Sequence, residues 1–303
     1  MKKLLFLLLL VTTAASAQNR TAVTLGTATP GGGFPLFGAA FAEMVNAQEP
    51  VLEVRPQNTK GSTENVPLLE AGKLDLGLVA GELASAALAK PGTQLRIVSA
   101  MYSSPGMFIV RADSAVRSIS DLKGQAVVLG TQGSGITVLG RTVLESLGIQ
   151  VQAITLEKAA DGPPMLKDGR AAALWGAGVG WPAFVALAKE GGRFVAPSAE
   201  EVGRILAKNP ALQAVTLPAR SYPGQEAALA SVGSWSFVLA RPELPEEQGY
   251  LLARALHRAE PALAARLEQA RETTIANTLA AAPRPDLIHP GVQRYLREAG
   301  LAR

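Results

Sequence analysis

Two hydrophobic periods alternate along most of the chain. Short apolar runs predict buried strands, and between them apolar residues recur at three- and four-residue spacing, which predicts helices laid on a sheet. Residues 22–25 predict a first strand, ended by Gly26 and a glycine-rich turn, and Phe37, Ala40, Phe41, Met44 and Val45 then mark one helix face. Residues 51–55 alternate like a second strand. Ser62 or Thr63 can cap a helix through Leu68 and Leu69, with Pro67 tolerated only in its first turn and Gly72 as its C-terminal glycine. Residues 74–79 predict a third strand, and 96–100 and 107–110 continue the pattern. This β-α-β-α-β order implies a mostly parallel sheet with right-handed crossovers.

A second unit begins near Ser118. A short helical turn over residues 119–124 precedes a buried strand at 126–129, the loop Gly130-Thr131-Gln132-Gly133-Ser134-Gly135, and a helix whose apolar face holds Val138, Leu139, Val143 and Leu147. A strand at 151–156, a helix ending at Gly169, a strand at 171–175 and the turn Gly176-Ala177-Gly178-Val179-Gly180 follow. Residues 232–239 read as one long β segment able to return the chain to the first unit, and 246–271 and 290–301 are helical in pattern. The fold class is therefore α/β: two doubly wound lobes joined by hinge strands, with a ligand cleft between them. One lobe takes residues 18–112 and 232–303, the other residues 113–231.

The extreme N-terminus departs from both periods. Lys2 and Lys3 precede an apolar run over residues 4–11 that is too short to span a bilayer, and Ala15-Ser16-Ala17 offers small residues at both recognition positions of a signal peptidase. Residues 1–17 are accordingly read as a signal peptide and the mature chain as periplasmic and monomeric. The sequence holds no cysteine, which excludes disulfides, thiolate metal sites and a lipid-bearing cysteine. With 48% hydrophobic and only 5% aromatic residues, the core must be mainly aliphatic. The net charge of +4 is scattered, without the basic run that a nucleic-acid surface shows.

Three glycine-bearing turns carry the candidate binding chemistry. Pro30-Gly31-Gly32-Gly33 lies between a strand and a helix, where exposed amides form a carboxylate or phosphate site, although a flexible turn has the same composition. Asn58-Thr59-Lys60-Gly61-Ser62 occupies the equivalent strand end, with Ser62 equally able to serve as a plain helix cap and Lys60 as a solvated cation. Thr131-Gln132-Gly133-Ser134-Gly135 repeats the device in the second unit. Three converging helix N-termini favour a small anion or zwitterion. Glu82 either holds a ligand ammonium group or simply starts a helix. Trp175 and Trp181 flank a glycine turn, as wall or as core, and Tyr102 shares that ambiguity. The ligand-binding candidates are Gly32, Gly33, Phe34, Thr59, Lys60, Ser62, Glu82, Gln132, Ser134 and Trp175. Catalytic and metal signatures are lacking: the two histidines, His257 and His289, stand apart, and neither a G-x-S-x-G elbow nor a phosphate-binding G-x-x-x-x-G-K-[ST] loop occurs. No enzyme activity, cofactor or metal is expected.

Several segments, in order along nearly the whole mature chain, resemble the TAXI solute receptors of TRAP transporters. They are Leu25-Gly26-Thr27 through Gly31-Gly32-Gly33-Phe34-Pro35-Leu36, Gly61-Ser62-Thr63-Glu64-Asn65 and Leu69-Glu70-Ala71-Gly72-Lys73-Leu74-Asp75. Ser120-Asp121-Leu122-Lys123-Gly124, Gly133-Ser134-Gly135, Val232-Gly233, Leu244-Pro245-Glu246 and His289-Pro290-Gly291 continue the series. The resemblance implies a type II periplasmic binding-protein fold that closes on a small carboxylate or amino acid, and an integral-membrane TRAP permease as partner. Where many members carry paired tyrosines, this chain has Phe34-Pro35-Leu36-Phe37, which points to a less polar or differently anchored ligand. Two rivals remain: a receptor serving an ABC permease or a sensor, and an enzyme akin to thiamine-pyrimidine synthases, against which the missing cysteines and the signal segment argue.

Overall fold

Two mixed five-stranded sheets organise residues 20–302, the part of the chain that the computed structural model describes. The signal peptide read at residues 1–17 lies outside the described residues. The chain lays down β1 (Thr21–Gly26), β2 (Leu52–Gln57), β3 (Leu76–Val79) and β4 (Arg96–Ser103) in the first lobe. It then crosses to build β5 (Gly106–Val110), β6 (Ala126–Thr131), β7 (Gln152–Leu156), β8 (Ala173–Ala177) and β9 (Arg193–Val195). A two-stranded ribbon, β10 (Gln213–Leu217) with β11 (Leu229–Gly233), leads back to β12 (Trp235–Ala240) in the first sheet. Sheet orders are β2-β1-β3-β12-β4 and β7-β6-β8-β5-β9.

Three expectations are corrected here. The sheets are mixed, not mostly parallel: β1 runs parallel to β2 and β3, and β6 to β7 and β8, but β12 is antiparallel to β3 and β4. Residues 107–110, read with the first unit, instead pair antiparallel with β8 and β9, Phe108 facing Trp175 and Val195, so the chain leaves the first sheet at Ser104 and not near residue 112. Residues 232–239 are not one strand, because the chain changes sheets at Ser234. All three differences share a cause. An apolar run reports burial on both faces, as in β3 and β5, where every residue is buried, and burial does not say which strand lies alongside.

The two crossings lie side by side. A Cβ on Gly233 would come within 2.3 Å of the Ser104 carbonyl oxygen, so only glycine fits, and the Ser231 hydroxyl donates to the Gly106 carbonyl. Helices cover both faces of each sheet. In the first lobe Phe37 and Phe41 of the helix Gly33–Gln48 pack against Leu252 and Leu256 of the helix Glu246–Arg266, where Arg254 also grips the buried carboxylate of Glu49 at 2.6 and 2.9 Å. In the second, the Phe108 and Trp175 rings lie 4.7 Å apart over Leu139 and Val143. The helix Ser62–Glu70 differs from expectation at both points: Gly61 is its N-cap, at φ 105°, and Pro67 sits past the first turn.

Several motifs that carry the family resemblance are structural ties. Asp75 accepts from the Thr24 amide and hydroxyl at 2.8 and 2.9 Å and from Arg241 at 2.9 Å, which holds its carboxyl below the usual range and joins β1, β3 and β12 at one edge. Asn65, fully buried, donates to the carbonyls of Gly26, Thr27 and Leu78. His289 is buried, caps the helix Pro290–Glu298 by accepting from the Gly291 amide, and lies within hydrogen-bond distance of the Leu244 carbonyl. Burial lowers its pKa, so it is held neutral. Gly291 leaves no space for a side chain against Glu246, which locks this helix onto its neighbour.

Candidate functional site: a cavity between the lobes

The carboxyl ends of β1, β3 and β6 each turn directly into a helix, at Gly33, Gly81 and Gly135, and these three helix starts face one another across the gap between the lobes. Around them the protein leaves some 830 Å³ of space unfilled by atoms, part of it open to solvent. Gly32 and Ala80, the N-caps of the two first-lobe helices, provide no side-chain cap, and of the opening amides that of Glu82 has its own carboxyl while those of Gly33 and Gly81 have no side-chain partner. The third helix is capped by the Ser134 hydroxyl, which accepts from the Ile136 amide at 3.3 Å.

The polar lining comes almost entirely from the first lobe and the crossings: Glu82, Tyr102, Ser104, Ser234, Ser236 and Gln269. Gly81 packs so tightly under Ser234 that a Cβ there would lie 2.2 Å from it, which fixes Glu82 beside the hinge. Glu82 Oε1 is buried with no hydrogen-bond partner, and burial pushes the carboxyl up to about 7 despite help from its own amide and the Ser234 hydroxyl. Tyr102 is buried and its phenol is raised for the same reason. From the second lobe come Val128, Ile136, Leu139, Leu156, Leu174 and Trp181, with Thr131 as the one side-chain hydroxyl. Among the described residues no lysine, arginine or histidine lines the space. A single carboxylate and two helix starts opposite an apolar wall have the makings of a site that holds a small molecule by its polar groups.

Of the ten candidates, Gly32, Gly33, Phe34 and Glu82 line the cavity. The others stand elsewhere. Thr59 donates to the Thr27 carbonyl and accepts from the Gly61 amide, while Lys60 and Gln132 are exposed. Ser62 is fully buried and accepts from the Ala80 amide at 3.0 Å. Trp175 is core, its indole N–H donating to the Ile136 carbonyl at 2.9 Å; Trp181 is the tryptophan of the wall. The second and third glycine turns also meet each other, and of the two only the third reaches the cavity, through Thr131 and Gly135. Thr63 donates its amide and hydroxyl to the Gly133 carbonyl at 3.3 and 2.8 Å, and a Cβ on Gly135 would fall 2.2 Å from that of Ala80. Their glycines serve lobe-to-lobe approach.

Sequence reading missed Gln269 and the three hinge serines. Gln269 sits in a 3₁₀ turn, Glu268–Glu272, that follows the helix ending at Arg266 and is pinned to β4 by Glu272, which accepts from the Ser103 amide and hydroxyl. No local pattern announces such a residue. The serines had one available signal, polar positions interrupting otherwise apolar strands.

A family model described as the NMT1-like family matches residues 25–300. Among solved structures, MatC from Rhodopseudomonas palustris with bound malate is 14% identical, with 92% of this chain and 96% of that chain covered and a TM-score of 0.59. The periplasmic binding protein BugD is 14% identical over 93% of this chain and 98% of that one, with a TM-score of 0.59. The periplasmic aliphatic sulphonate binding protein SsuA from Escherichia coli is 19% identical over 91% of this chain and 82% of that one, with a TM-score of 0.53. At such identities the likeness is one of fold. The chain belongs to the NMT1-like family and has the two-lobed α/β fold of periplasmic binding proteins.

Proposed function

We propose that this chain is an exported solute receptor of the TAXI kind, which captures a small carboxylate or amino acid between its lobes and delivers it to a TRAP-type permease. The observation that carries the reading is the interlobe cavity itself: uncapped helix amides and one unpaired carboxylate face an apolar wall across a space of ligand size. The ordered motif series from Leu25 to Gly291 supports the TAXI assignment, and the family match and fold accord with a receptor. The fold likewise supports periplasmic residence after loss of residues 1–17. In this reading the lobes part about the crossings at Ser104 and Ser234 to admit ligand, and ligand favours the closed form by its greater affinity for it.

Small-angle scattering of the mature chain, refolded to strip carried ligand, tests closure once a thermal-shift panel has named a binder. Compaction on binding supports the clamp, and an unchanged radius of gyration overturns it. Ligand-dependent uptake in proteoliposomes holding a TRAP permease, absent when the receptor is left out, tests the partner; uptake through an ABC permease instead would favour the rival receptor.

A further inference from the structure

The lining of the cavity is chemically lopsided in a way that selects among small carboxylates and amino acids. We propose that the ligand is an apolar α-amino acid, its ammonium group taken by Glu82 and its side chain laid against the second-lobe wall; the inference rests on the receptor reading above.

Charge is the first argument. Among the described residues Glu82 is the only carboxylate on the lining, and no basic side chain there balances it. A dicarboxylate would bring two further negative charges beside it in a space largely removed from water, where like charges repel strongly. Hydrogen bonding is the second. Oε1 of Glu82 is buried with no donor, and a buried acceptor left unpaired is costly enough that native structures rarely keep one. An ammonium group supplies the missing donor together with the missing charge, and the one bond between them is of the strong, charge-assisted kind. Shape and polarity are the third. Ile136, Leu139, Leu156 and Leu174 offer a side chain nothing to hydrogen-bond, and the wall's side-chain polar groups are only the Trp181 indole N–H and the Thr131 hydroxyl, so a charged or strongly polar side chain would lose most of its water without replacement. The ligand's own carboxylate has the uncapped helix starts at Gly33 and Gly81.

Isothermal titration of the mature chain at pH 8 with leucine, phenylalanine, 4-methylpentanoate, malate and glutamate is the test, repeated on Glu82→Gln. 4-Methylpentanoate is leucine without its ammonium group. Leucine or phenylalanine is expected to bind, with 4-methylpentanoate weaker by on the order of a hundredfold. Glu82→Gln should remove that preference by weakening the amino acid alone. The comparison of leucine with 4-methylpentanoate on the unaltered chain holds even if the variant folds poorly. Malate, glutamate or 4-methylpentanoate binding as tightly as leucine overturns the ligand class and leaves the receptor reading standing. Silence from every compound overturns both.

Discussion

The two walls of the cavity are built from the same kind of element, a strand that ends in a glycine and turns into a helix, yet they differ in almost every chemical respect. The first-lobe wall carries the carboxylate, the phenol, most of the hydroxyls and the amide, and its helices begin without side-chain caps. The second-lobe wall is aliphatic and aromatic, and its helix start is already satisfied by Ser134. Shared topology thus fixes where a ligand sits, while the side chains divide the labour between orienting its polar groups and covering its apolar surface. In the receptor reading proposed above, a ligand docks first on the polar wall, and the apolar wall closes over it.

This comparison can be broken, and the sharpest break is steric. Gly135→Val places a side chain where Ala80 already stands, so the walls can no longer meet. Affinity should fall by at least about a hundredfold, since truncating or misplacing one side of a two-sided site forfeits its buried contacts. Circular dichroism should stay unchanged while scattering shows no compaction; full affinity would mean that the walls do not act together.

Next in size is the pH dependence of the polar wall. Because Glu82 titrates near 7 in the fold against 4.5 as an ordinary glutamate, the folded state holds its proton longer. The contribution of Glu82 to ligand-free stability is therefore fullest below pH 4.5, declines as pH rises through 7, and is flat above it. Glu82→Gln should stabilise the ligand-free protein by about 3 kcal/mol at pH 8 and by almost nothing at pH 4, read from denaturant melts. An equal effect at both values would remove the charge from the account. A smaller change probes the apolar wall: Ile136→Ala should weaken an apolar ligand by about tenfold through lost burial, leaving the pH profile of binding alone. The smallest effect belongs to Lys60→Ala. With its side chain in solvent and away from the cavity, titration should register a change under about twofold.

How much of this was legible in the sequence varies with the kind of interaction involved. Alternating apolar periods disclosed the strands and helices around Leu25, Leu78, Val128 and Leu139, because burial is written locally. The placing of β5 and β12 was not, since antiparallel insertion between strands distant in the chain, later ones for β5 and earlier ones for β12, depends on partners that no window of sequence contains. The glycine turns were visible, but their roles were not separable. Gly32 and Gly33 line the cavity, Gly133 lets two lobes touch and Gly135 does both, and the need for a missing side chain looks the same in every case. Glu82 was readable as a carboxylate at a helix start. The unpaired state of its Oε1 was not, because that depends on what Tyr102 and the opposite wall fail to supply.

The late arrival of β12 bears on how such a chain matures. This strand lies between β3 and β4, yet more than a hundred residues separate it from either. Until Trp235–Ala240 has emerged, the first sheet is two fragments with an open seam between Leu78 and Ser99, and no amount of local structure can close it. Contacts of such wide separation form slowly, since the loop must be closed before they repay its entropy. If the chain is exported unfolded, as the receptor reading proposes, it gains time from this: its first half cannot lock into a finished domain while its second half is still being made.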